Sequence, residues 1–215
     1  MSKRTIWDYF RQHTQLSDEA IAGIMGNMEA ESNCEACRVQ GDFGTTENPL
    51  DRSKSIRYAR EVNTGIKSMS VFARDEKGWG LCQWTYPTRK ENLYKTCQSY
   101  QTGIEDEETQ IKFMLAEMQT EHFTKADEPS LWQQLLSCDN IYNAARLVCV
   151  YYERPAVNNI MTRADYGQTI YNQFHGKDID PTPEPTEDWL DDWIEYLEDE
   201  KQRLQNKIDE LKARR

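Results

Sequence analysis

The stretch from Ile21 to Ser32, Ile-Ala-Gly-Ile-Met-Gly-Asn-Met-Glu-Ala-Glu-Ser, restricts the fold more than any other part of the chain. Ile21, Ile24, Met25 and Met28 recur at helical spacing and draw one apolar stripe. The opposite side carries Ala22, Gly23 and Gly26, where a surface helix would carry charge. Two glycines in a helix interior cost about 1 kcal/mol each, so close packing or function has to offset them. Ser17 is the expected N-cap, and Asp18 and Glu19 fill a first turn that favours negative charge. The pattern predicts a central helix, buried on its stripe and closely approached on its small-residue side.

Two carboxyl groups end this helix. Glu31 follows Ile24 and Met28 along one edge of the stripe, and Glu29 follows Met25 along the other. A periodicity of about 100° per residue does not choose between them, and a solvated pair on a frayed last turn is an equal reading. A half-buried carboxyl at the negative end of a helix holds its proton more tightly. That is the requirement for a general acid working near neutral pH.

Two more motifs follow in order, Gly78-Trp-Gly-Leu-Cys-Gln83-Trp84-Thr85 and Tyr152-Glu-Arg-Pro155. Together with Gly26-Asn-Met-Glu-Ala-Glu-Ser32 they resemble the phage tail lysozyme family, from about Thr5 to Phe174. The resemblance implies a mainly α (α+β) lysozyme-like fold with a small β-hairpin lobe. It implies a muramidase that needs no cofactor and cleaves the β-1,4 bond between N-acetylmuramic acid and N-acetylglucosamine in peptidoglycan glycan strands. It maps the catalytic acid onto Glu31 rather than Glu29. Many relatives have Gly after the Glu-Ser pair; Asn33 and Cys34 stand here, and Asn tolerates a left-handed helix end almost as well. A lytic transglycosylase would use the same glutamate. A non-catalytic wall-binding or assembly module of a phage tail is the alternative from another class.

Glycoside hydrolysis also needs a group that stabilises or attacks the oxocarbenium-like centre. Asp75, just before Gly78, and Glu153 are the candidates for a second carboxylate, although an ion pair with a neighbouring arginine would explain Glu153 and simple exposure Asp75. Gln83, Trp84 and Tyr86 suit a sugar: an amide both donates and accepts, and aromatic faces stack on rings. Core filling explains Trp84 equally well. Tyr152 either hydrogen-bonds near Glu31 or packs.

Composition narrows the alternatives. A net charge of −11 opposes nucleic-acid binding, which rests on basic contacts to phosphate. Mean hydropathy is −0.88, and no apolar run approaches the ~20 residues of a spanning helix, so no membrane association is expected. Met1 to Trp7 includes basic residues but no apolar run follows, so no secretory signal is read. The expectation is synthesis in the cytoplasm and action at the bacterial wall or on the virion, with delivery by another device. Six cysteines offer one close pair, Cys34 and Cys37, and three scattered histidines complete no metal set, so no metal is expected. A Cys34–Cys37 disulfide stays open.

Along the chain, amphipathic helices are expected near Thr5–Gln15, from Thr88, at Thr109–Met118, Pro129–Leu136, Ile141–Tyr152 and Thr162–Phe174. The polar stretch Cys37–Ser55 reads as a long functional or mobile loop. Val62-Asn63-Thr64-Gly65, between two apolar pieces of Tyr58–Ala73, reads as the turn of the minor hairpin. The lysozyme-like domain is expected over residues 1–177, a proline-rich linker over 178–187 and a coiled-coil helix over 188–215. Leu190, Ile194, Leu197, Lys201, Leu204, Ile208 and Leu211 form the heptad seam, which points to self-association or a partner helix.

Overall fold

The computed structural model describes residues 3–178. The linker and coiled-coil helix expected beyond them lie outside the described residues. The first helix, α1 (Lys3–His13), packs on α2 (Asp18–Ser32), the helix that the apolar stripe anticipates. Ten of the fifteen residues of α2 are buried, so it is the axis of the domain. Ser17 caps it, accepting from the Ala20 amide at 3.0 Å, and Asn33 ends it in the left-handed conformation with φ 58°.

The two glycines of α2 are explained by packing. α8 (Ile141–Leu147) and α9 (Ile160–Phe174) close on its small-residue side. A Cβ on Gly23 would lie 2.5 Å from the Ala144 methyl. One on Gly26 would lie 2.1 Å from the carbonyl oxygen of Arg163 and 2.8 Å from the Gly167 nitrogen. Only a bare Cα lets α9 come this near. Immediately after α8, Val148–Glu153 winds on as a π-helical turn and ends at Arg154 in the left-handed conformation, φ 52°.

The other side of the domain is made by α3 (Ser53–Asn63), α4 (Met69–Arg74), α5 (Pro87–Tyr100), α6 (Glu107–Thr120) and α7 (Leu131–Leu136). Here the structure corrects the sequence reading. Residues 58–73 hold no hairpin; they belong to α3, a turn and α4. Turn residues explain the misreading, because Asn63-Thr64-Gly65 closes a helix as readily as a hairpin: the Thr64 amide caps α3 on Arg60 O, and Gly65 takes φ +75°. Among the described residues the extended pairing is limited to two antiparallel bridges, Val39 with Trp79 and Trp79 with Trp84. Among them, no helix is long and apolar enough to cross a membrane.

That bridged loop is pinned from three sides. Ser32 Oγ at the end of α2 donates to Leu81 O at 2.9 Å. Buried Gln110 of α6 accepts from the Leu81 amide at 2.9 Å and donates to Ala36 O and Ile104 O. Trp79 stacks on Tyr58 with ring centres 5.1 Å apart. The end of α2 and the Gly78–Trp84 motif are therefore one rigid unit.

Candidate active site

A cleft of 1110 Å³ opens between these two halves. It brings together Glu31, Gln83, Trp84, Tyr86, Tyr152 and Glu153, residues spread along the chain from position 31 to position 153. Glu29 is not among them: its carboxylate turns to Lys3 of α1 at 2.6 Å. Asp75 is not among them either. It accepts from the wholly buried Lys90 ammonium and from the Tyr58 hydroxyl, both at 2.6 Å, and so ties α4 to α5 and α3. Burial works against its charge, but those hydrogen bonds outweigh it and hold its carboxyl below the ordinary value.

Glu31 sits at the cleft end of α2 with its side chain 21 % exposed. Arg163 of α9, 7 % exposed, donates to Glu31 Oε1 at 2.6 Å and to Asn27 Oδ1 at 3.1 Å. Asn27, one turn before Glu31 and fully buried, is itself fixed by donating to Gly23 O and Ala145 O. The glycine contact that brings α9 against α2 thus also delivers the arginine to Glu31. Sequence reading missed Arg163. Its signal was a lone cation on the small-residue face of α9, beside Ala164 and one turn from Gly167.

Glu153 comes from the end of the π-helical turn and reaches the same cleft. Desolvation, then the charge of Glu31, push its carboxyl up to about 8; the positive charges of Arg89 and Arg163 and the Cys82 thiol pull the other way without prevailing. The neighbouring arginine, Arg154, donates to Tyr151 O at 2.9 Å and to Phe123 O at 3.1 Å, and Arg89 forms a bidentate pair with Glu117 of α6 at 2.9 and 2.8 Å. Glu117 also accepts from Tyr152 OH at 2.6 Å and from Trp84 Nε1 at 3.3 Å, and the Arg89 guanidinium lies 4.2 Å from the Tyr152 ring centre. This network is the floor. Trp84 and Tyr152 border the cleft but are each 1 % exposed, which leaves almost no ring face for a sugar.

The exposed aromatic surface lies at the rim. Tyr86, 69 % exposed, precedes α5, and Phe43, 76 % exposed, comes from the long 37–52 loop. Phe43 had no sequence signal beyond membership of that loop. Gln83 donates from Nε2 to Arg38 O and Gly80 O, and no donor among the described residues reaches its Oε1. Of seven non-glycine residues with positive φ among the described residues, four line the cleft: Glu76, Gln83, Phe123 and Arg154. Backbone strain of this kind, about 1–3 kcal/mol per residue, gathers where geometry matters more than stability. No group of three or more His, Cys, Asp or Glu side chains among the described residues could hold a metal. All six cysteines are free thiols, Cys34 and Cys37 included.

A profile of the phage tail lysozyme family matches residues 2–174, which covers Glu31, Glu153 and every other residue lining the cleft. The chain belongs to the phage tail lysozyme family. Membership gives it a lysozyme-like domain of the peptidoglycan-degrading kind. No protein of curated function matches the chain.

Proposed function

We propose that this phage tail lysozyme domain is a muramidase that cleaves the β-1,4 bond between N-acetylmuramic acid and N-acetylglucosamine. The observation that carries the reading is the meeting of Glu31 and Glu153 in one cleft in contrasting surroundings: one paired with an arginine, the other desolvated. A buried carboxyl that holds its proton, beside a second carboxyl in the same cleft, is what acid-assisted glycoside cleavage needs. The floor is rigid and hydrogen-bonded, so a glycan strand binds along the rim. There Tyr86 and Phe43 offer ring faces and Gln83 Oε1 accepts from a hydroxyl or an N-acetyl amide. Glu31 is the essential carboxyl by its match to the family motif. Action is at the bacterial wall or on the virion.

The test is digestion of purified Gram-positive sacculi by wild type and by Glu31→Gln, with released muropeptides identified by mass. Reducing N-acetylmuramic acid ends from wild type, and none from a folded Glu31→Gln, are expected. Anhydro ends would make the enzyme a transglycosylase. Absence of release from any sacculus would leave a wall-binding or assembly module as the better account.

A further inference from the structure

Among the described residues four arginines line the cleft, and their partners set one of them apart. Arg38 donates to Ser32 O at 3.0 Å and lies 3.7 Å from Glu35, and Arg89 is taken up by both oxygens of Glu117. Arg74 is exposed at the end of α4, donates to Ser70 Oγ of its own helix, and shares the cleft lining with Glu76. Arg154 donates from Nε to Tyr151 O and from Nη2 to Phe123 O, both neutral acceptors, and its guanidinium lies 5.9 Å from the Phe123 ring centre. Among the described residues it forms no ion pair. Two hydrogen bonds and a ring thus fix a positive charge in the cleft wall with no carboxylate against it.

The backbone is strained at both ends of this contact. Arg154 has φ 52° and Phe123 φ 53°, and one hydrogen bond joins them across 31 positions. The cap that Arg154 supplies is a backbone matter, its amide donating to Cys149 O at 2.9 Å, and Gly or Asn would supply it with less strain. An arginine here is accounted for by its side chain. We propose that Arg154 is a specificity residue that binds a carboxylate of the peptide stem on N-acetylmuramic acid. This rests on the reading of the cleft as a peptidoglycan site. The sugars of the strand are uncharged, whereas the stem, joined through the lactyl ether at C3, carries carboxylates. Of the five N–H donors of a guanidinium, two are spent on the protein, which leaves both on Nη1 and one on Nη2 for a ligand. Their planar fork matches a carboxylate. A chain of net charge −11 repels an anionic strand at large, so the attraction has to come from a cation placed at the site.

The experiment is calorimetric titration of the full chain with the disaccharide-peptide N-acetylglucosaminyl-N-acetylmuramyl peptide. That molecule lacks a bond of the type cleaved, so binding is read without turnover. The second probe is the same molecule with its stem carboxylates converted to amides. Wild type should bind the free acid about tenfold more tightly than the amide, and the ratio should shrink as salt is raised. Arg154→Gln should bind both probes alike, at the wild-type affinity for the amide. A purely structural role for Arg154 would weaken both probes and leave their ratio unchanged. That result overturns the proposal, as does equal binding of the two probes to wild type, or binding of neither. The wild-type comparison needs no variant to fold. A preference that Arg154→Gln abolishes, in a protein that releases nothing from sacculi, would refute the cleavage reading alone and keep the stem site.

Discussion

Replacing Gly26 by alanine sets helix propensity against packing. Alanine favours a helix interior by about 1 kcal/mol over glycine. The new Cβ, however, would lie 2.1 Å from Arg163 O and 2.8 Å from the Gly167 nitrogen, against a comfortable separation of about 3.5 Å. Both obstacles are backbone atoms of α9 and cannot swing aside, so the helices must part by roughly 1 Å. Overpacking of this kind costs about 1–3 kcal/mol. With the upper end appropriate to a backbone clash, the net loss is about 2 kcal/mol after the propensity gain. For a domain of this size that lowers Tm by roughly 4–8 °C. The displaced backbone is that of Arg163, so the Glu31 ion pair should loosen and sacculus release should fall as well. Urea unfolding followed by far-UV circular dichroism measures the loss. Gly65→Ala serves as comparison, because nothing lies within 4 Å of its Cβ and only the left-handed strain of φ +75°, about 1–2 kcal/mol, is at stake. A Gly26→Ala protein as stable as wild type, at an unchanged m-value, would refute the reasoning.

Arg163→Met should leave Glu31 without its cation and Asn27 Oδ1 without its donor, and reduce sacculus release at least tenfold in a protein that still melts cooperatively; wild-type rates would contradict it. Asp75→Asn should destabilise by about 3–5 kcal/mol, since Lys90 is wholly buried and loses its counter-charge. Because Asp75 titrates below its ordinary value when folded, the stability it confers is present above about pH 4 and disappears as pH falls through the folded value. Acid unfolding of Asp75→Asn should lack that component. Glu153 has the opposite sign: the folded state keeps a proton that the unfolded chain releases, so stability should decline as pH rises from about 4.5 to about 8. Glu153→Gln should flatten the decline, as chemical denaturation at several pH values would reveal. Tyr86→Ala should raise KM for glycan about fivefold, with Tm unchanged, and a Tm drop would mean that the ring is structural.

The frame of the domain could be read from short-range chemistry. Ser17, the stripe of α2, and Asn33 as a left-handed cap are all local signals, and each appears where expected. The hairpin reading failed for a local reason too, since the same turn residues serve helix ends. What the sequence withheld is pairing at long range. Arg163 meets Glu31 across 132 positions, and no periodicity announces the contact. Arg89, adjacent in space to Glu153, is taken by Glu117, a choice made by the packing of α5 on α6. The glycines of α2 raised close packing or function as explanations. The answer is a close helix crossing that also positions an arginine on the carboxyl.

The π-helical turn Val148–Glu153 has a consequence for how such a site can be lost or acquired. Its hydrogen bonds span five residues instead of four, so the turn absorbs an extra residue without breaking the helix that precedes it. Removing one residue from it would let α8 run on in ordinary phase and rotate every later side chain by about 100°. Glu153 would then point away from the cleft, with all the chemical groups of the site still present in the chain. The carboxyl pair depends on a count as much as on identities. A one-residue deletion could silence the domain in a way that no tally of motif residues would detect.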